Sequence, residues 1–161
     1  MEQLTLFSPP FKYIIDTSSL LSQKPDQPHR KIVYRSLWDR VEQYMEDRLI
    51  VTCSEIFDEI KDKPIRDWLK DKECIILPID DFIQRNVIRI VTEYPKMIEF
   101  TGGSGSSSGD VFLIATAMKY GLIIITEENP KKENKIPKVC KTYGLEAINL
   151  TDLSNREGWV F

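Results

Sequence analysis

The chain has 161 residues, 42% hydrophobic and 29% charged, with a formal net charge of −3. These values suit a single globular domain over residues 1–161 and exclude a disordered or fibrous chain. They also exclude nucleic-acid binding through overall basicity, though not through one basic face. No apolar run is long enough for a bilayer span, and MEQLTLFSPP lacks the basic start and apolar stretch of a secretory signal. The expectation is a cytoplasmic protein with no membrane segment. Cys53, Cys74 and Cys140 are odd in number and form no C-x-x-C pair, as expected of free thiols in a reducing compartment.

KYIID, residues 12–16, is a short β-prone run that closes on an acid and predicts a buried first strand. Thr17 and Ser18 suit a turn or cap, and Leu20 and Leu21 a single helical turn. Residues 22–30, SQKPDQPHR, read as a loop. Residues 32–45 place Ile32, Val33, Leu37, Trp38, Val41, Tyr44 and Met45 at amphipathic helical spacing.

A second strand is expected at 49–52. Ser54 can cap a helix running to Ile60, and Pro64 opens another short one. CIILPI, residues 74–79, predicts a third strand that ends near Pro78. Asp80 or Asp81 can cap a helix over 82–94. The Gly/Ser run at 101–109 is expected to be a flexible loop, either native or introduced as a linker. It lacks the G-x-x-x-x-G-K-[ST] pattern of a phosphate loop.

Residues 111–120 are apolar nearly all round, as in a helix buried on most sides, with Asp110 as its N-cap. Residues 122–126 form a strand without polar alternation, the pattern of a parallel sheet covered on both faces. Lys131, Lys132, Lys135 and Lys138 form a basic run that reads as a solvated loop able to steer a phosphate backbone. A helix over 137–143, a stop at Gly144 and a last strand over 146–150 complete the chain. Strands alternating with helices predict a three-layer α/β/α fold around a mainly parallel sheet.

Ligands of open parallel sheets gather beyond the carboxyl ends of the strands. Acids fall there repeatedly: Asp16 after the first strand, Glu55 and Glu59 after the second, and Glu127 and Glu128 after the strand that follows Asp110. Carboxylates brought together repel one another unless a cation lies among them. Oxygen-only donor sets suit Mg²⁺ or Mn²⁺, and such ions can activate water for phosphodiester cleavage. His29, the only histidine, sits in a loop and reads as a surface residue. Thr17, Ser18 and Thr126 can hold waters or phosphate oxygens, or simply bond local backbone.

YIIDTSSLL, SEIFDEI, SGDVFLIATA and IITEEN, in this order, resemble the PIN-domain nucleases, above all the PIN-like toxins of prokaryotic toxin–antitoxin pairs. The resemblance spans roughly residues 13–150. It implies a three-layer α/β/α PIN-like fold and a metal-dependent endoribonuclease with an RNA substrate. An antitoxin protein partner is implied too, and a homodimer is left open. The site it implies is Asp16, Glu59, Asp110 and Glu128 as metal ligands, with Glu55 and Glu127 as rivals one helical turn and one residue away. Ser18 stands where the family often has asparagine, and Glu128 where it often has aspartate. The alternative is a PIN-like module that binds RNA or protein without catalysis. A dehalogenase-type phosphohydrolase would need a second aspartate at position 18, which is serine here.

Overall fold

The computed structural model describes residues 9–98 and 108–161. The sheet is entirely parallel. It contains β1 (Tyr13–Ile15), β2 (Ile50–Cys53), β3 (Ile76–Leu77), β4 (Ile123–Ile125) and β5 (Ala147–Ile148), in the order β3-β2-β1-β4-β5. Tyr13 of β1 pairs with Ile50 of β2 on one side and Ile123 of β4 on the other. The chain therefore builds outward through β2 and β3, then returns to the far side of β1. The strand order reverses between β1 and β4, where parallel sheets open a crevice beyond their carboxyl ends.

Every residue of β1 and β2 is buried, as expected when helices cover both faces. Each fully buried isoleucine or valine there contributes roughly 1.5–3 kcal/mol relative to exposure. The described helices are α1 (Thr17–Leu21), α2 (Arg35–Glu46), α3 (Ser54–Glu59), α4 (Lys63–Asp71), α5 (Asp81–Glu93), α6 (Ser108–Tyr120), α7 (Ile136–Thr142) and α8 (Leu150–Glu157). A 3₁₀ turn, Pro95–Ile98, follows α5. Helix α6 packs on α3, α5, β2 and β4. Val111, Leu113, Ile114, Ala115 and Ala117 on α6 are wholly buried, which is why the sequence shows no polar face there. Glu157 of α8 accepts hydrogen bonds from Tyr13 of β1 and Tyr44 of α2, so these helices meet over one end of the first strand. The layers are α/β/α, as the strand–helix alternation predicts.

Several expected boundaries move. Helix α2 begins at Arg35, not 32, because Val33 and Tyr34 both donate backbone bonds to Arg30 in a turn. Ile32 and Val33 are consequently exposed, at 79% and 57%. The strand expected at 74–79 pairs only through Ile76 and Leu77. The strand expected at 146–150 ends at Ile148, because Asn149 caps α8: its side chain accepts from Asp152 N while Asp152 accepts from Asn149 N. The N-L-T-D run at 149–152 is a capping-box pattern and was the available signal for this helix. Residues 101–107 of the Gly/Ser run lie outside the described residues. Ser108 and Gly109 belong to α6 rather than to a loop.

The three cysteines are free and buried. Among the described residues, no helix is long and apolar enough to cross a membrane.

Candidate metal centre

The site begins where β1 ends. Asp16 caps α1, its Oδ1 accepting from Thr17 N at 2.7 Å. Its Oδ2 accepts from Ser18 Oγ at 2.7 Å and from Thr126 Oγ1, at the end of β4, at 2.8 Å. These bonds fix the carboxylate across the β1/β4 crevice and use three of its roughly four lone-pair positions. Ser18 Oγ also accepts from Glu127 N at 3.0 Å, and Thr126 Oγ1 from Glu128 N at 3.1 Å. Ser18 and Thr126 thus tie the start of α1 to the segment after β4. The short polar side chains of the first motif bond local groups and hold the acids in place.

Glu59 ends α3 and accepts a hydrogen bond from Thr17 Oγ1. Asp110 lies in the first turn of α6. It is not the N-cap expected from the sequence, because Ser108 and Gly109 before it are already helical. The residue is buried, at 5% exposed. One carboxylate oxygen each from Asp16, Glu59 and Asp110 lies within 4.8 Å of the other two. Oxygens bound to one Mg²⁺ stand about 2.0–2.1 Å from it and at most about 4.2 Å from one another, so these side chains would close on a single ion by up to about 0.6 Å. Three hard oxygen donors on separate elements fit Mg²⁺ or Mn²⁺ in preference to a soft metal.

Electrostatics shows how tightly these acids are packed. Burial, followed by the charges of Asp16, Glu128 and Glu59, raises the Asp110 carboxyl well above the ordinary aspartate range. Asp16 is raised too, by burial and then by Glu128, against the bonds from Ser18, Thr126 and Thr17. Without a cation, the cluster therefore holds protons that exposed carboxylates would release. Lys135 is the positive group that pulls Asp110 the other way.

The two rival pairs occupy different surroundings. Glu128 bears on both Asp16 and Asp110. Its carboxylate accepts from Ile136 N at the start of α7 at 3.0 Å and lies 3.7 Å from Lys135 Nζ. It stands outside the tightest three-acid group, at its edge. Glu127 turns the other way: its Oε2 accepts from Leu150 N at 2.9 Å, and its Oε1 is 3.8 Å from His29 Nδ1. Glu55 sits at the start of α3, where its charge falls on Cys53, whereas Glu59 reaches Thr17 and Asp110.

His29 departs from the surface residue expected. Its side chain is only 16% exposed. The loop is drawn inward because His29 N donates to Ser22 O at 3.0 Å and Trp38 Nε1 donates to His29 O at 2.7 Å. In the basic run, Lys131 and Lys132 are exposed, Lys138 lies 3.7 Å from Glu133, and Lys135 alone approaches the acids. Gly109 is a residue whose role the sequence disguised. Its backbone runs so close to Glu59 that a Cβ would collide with Oε2 and lie 2.8 Å from Cδ. Space, not a left-handed backbone, requires glycine there.

A parallel sheet in this order, with acids converging at its switch point, defines the PIN-like fold. Solved structures carry the same fold at low identity. PAE2754 from Pyrobaculum aerophilum superposes with a TM-score of 0.57 at 13% identity, covering 92% of this chain and 90% of that one. VapBC2 from Rickettsia felis, bound to a DNA fragment from their promoter, gives 0.52 at 16%, covering 85% and 97%. FitAB bound to an IR36 DNA fragment gives 0.50 at 15%, covering 86% and 94%. No curated protein matches. Residues 13–161 match the family described as "Domain of unknown function (DUF4411)", and the chain belongs to that family.

Proposed function

We propose that this protein is a metal-dependent endoribonuclease that cleaves RNA phosphodiesters, with Asp16, Glu59, Asp110 and Glu128 as the ligand set for Mg²⁺ or Mn²⁺. The observation that carries this reading is the approach of Asp16, Glu59 and Asp110 to within 4.8 Å of one another, with Asp16 and Asp110 buried and Glu59 half-buried. Such an arrangement costs stability when no cation is present, so folding alone does not account for it. A bound divalent ion would supply Lewis acidity toward a scissile phosphate and a nearby water.

The chain's own residues do the rest. Asp16, locked by Ser18, Thr126 and Thr17 N, fixes the centre of the site. Thr17 orients Glu59. Glu128, held by Ile136 N, adds negative charge at the rim, where Lys135 can meet a phosphate. The fold is shared with chains from the VapBC2 and FitAB assemblies. That supports a toxin of a toxin–antitoxin pair, with an antitoxin as protein partner and a cytoplasmic location.

The test is incubation of the purified protein with single-stranded RNA in Mn²⁺, in Mg²⁺ and in excess chelator. Cleavage is expected only with metal. Cleavage that survives full chelation would remove the acidic-cluster mechanism. Calorimetric binding of Mn²⁺ without any cleavage would instead favour a non-catalytic RNA- or protein-binding module.

A further inference from the structure

A cavity separate from the acidic cluster is linked to it through Glu127. It has a volume of about 320 Å³ and sits between the loop carrying His29, the start of α2 and the face of α8. Its walls include the rings of His29, Tyr34, Trp159 and Phe161 and the polar side chains of Thr151 and Asn155. Among the described residues, no lysine, arginine, aspartate or glutamate lines it. The cavity is therefore unsuited to a phosphate or a free ion. It suits a neutral, planar ligand with hydrogen-bonding edges.

Its position ties it to the proposed chemistry. Glu127 borders both sites. Its backbone N–H bonds Ser18, whose hydroxyl bonds Asp16, and its carboxylate holds Leu150 N and faces His29. Leu150 and His29 form the end of the cavity nearest the acids, and the cavity runs from there along α8 toward Trp159 and Phe161, beyond Glu157 and the start of β1.

We propose that this cavity is a nucleobase subsite that takes an unpaired purine, adenine before guanine, from a nucleotide flanking the one held at the acidic cluster. The inference rests on the RNA-cleaving reading above. Proteins that read single-stranded RNA stack splayed bases on aromatic rings and bond their edges. Tyr34 and Phe161, 45% and 64% exposed, present ring surface at the mouth. Tyr34 is held edge-on to His29 with ring centroids 5.6 Å apart. Asn155 is exposed on α8, and a carboxamide pairs its donor and acceptor with the adenine N7 and N6 edge. The larger surface of a purine fills a cavity of this size better than a pyrimidine does.

The test has two arms. In the first, the labelled full chain is titrated with adenosine, guanosine, cytidine and uridine, and the Trp159 indole and Asn155 carboxamide resonances are followed. Adenosine is expected to move both, with the Trp68 indole, bonded to Glu42 outside the cavity, as the unmoved control. Asn155→Ala and Tyr34→Ala should each weaken adenosine binding roughly tenfold. In the second arm, cut positions on a mixed-sequence RNA are mapped with Mn²⁺. Wild type should favour a purine at one position beside the cut. Asn155→Ala should lose that preference, through slower cleavage at the purine-flanked positions.

No response to any nucleoside, or equal affinities in wild type and both variants, overturns the proposal. So does cleavage whose base preference Asn155→Ala leaves intact. If adenosine binds the cavity but RNA is never cut, the subsite stands and the nuclease reading fails. If RNA is cut but no nucleoside binds, the nuclease reading stands and the subsite fails.

Discussion

Gly109 and the Glu59 carboxylate share a space that holds no side chain at position 109 while Glu59 keeps its place: an added Cβ would strike the carboxylate. The close approach places Glu59 against the first turn of α6 and beside Asp110.

Gly109→Ala separates the site from the fold. Alanine inside a helix is favoured over glycine by roughly 0.5–1 kcal/mol, and the Glu59 side chain is flexible enough to swing aside. Thermal stability is therefore expected to hold or rise slightly. Glu59 would be displaced, so Mn²⁺ affinity and RNA cleavage should fall, by roughly tenfold or more. Calorimetry with Mn²⁺ and a cleavage assay on the same preparation check this. A variant that binds Mn²⁺ like wild type would show that Glu59 is not a ligand.

The two rival pairs are expected to split unequally. Glu59→Gln should lose roughly a hundredfold or more in cleavage, as removal of a charge that supports a metal would. Glu55→Gln should lose little, because its charge falls on Cys53 instead. Glu128→Gln should likewise cost more than Glu127→Gln. Glutamine at 127 still offers an acceptor to Leu150 N, so its folding role survives. The reverse order in either pair would assign the role to the other residue.

Metal-free stability should fall as pH rises. Unfolded aspartates titrate near pH 4, while burial and neighbouring carboxylates raise Asp110 and Asp16 in the folded protein. Above about pH 4 the unfolded chain releases protons that the folded chain still holds. The stabilising contribution of these groups is therefore complete below that pH and is lost as pH climbs toward their folded values. Mn²⁺ should act in the opposite sense, stabilising more at higher pH, because ligands must be ionised to bind. Asp110→Asn should flatten the metal-free slope and shrink the Mn²⁺ shift. Melting curves at pH 5 to 8 in chelator and in Mn²⁺ provide the test, read with roughly 1 °C precision against shifts of several degrees.

Glu157 titrates in the opposite direction. Burial opposes its charge, but bonds from Lys12, Tyr13 and Tyr44 prevail and hold it at about 2. Its contribution is present above the ordinary glutamate range, is lost as pH falls toward about 2, and reflects the docking of α8 on β1 and α2. Glu157→Gln should lower stability at pH 7 by about 1–2 kcal/mol without changing Mn²⁺ affinity. Denaturant unfolding and metal titration of one sample separate the two effects.

The strand–helix alternation and the order of the acidic motifs were legible in the sequence, because short apolar runs and helical spacing are local properties. KYIID, the buried run of α6 and the isoleucines of β4 needed no long-range information to be read as a covered parallel sheet. Element ends were less legible. Pairing with a neighbouring strand trimmed β3 and β5, and a capping box diverted residues 149–152 into α8. Only the tertiary structure decided which member of each acid pair meets Asp16. Glu55 and Glu59 share a helix face, and the packing of α3 against α1 and α6 brings the later one into reach. Glu127 and Glu128 leave the strand end in opposite directions, one toward α8 and the other toward α7. The closeness of Gly109 to Glu59 was equally hidden, since it joins residues 50 positions apart across a helix–helix contact that no local pattern encodes.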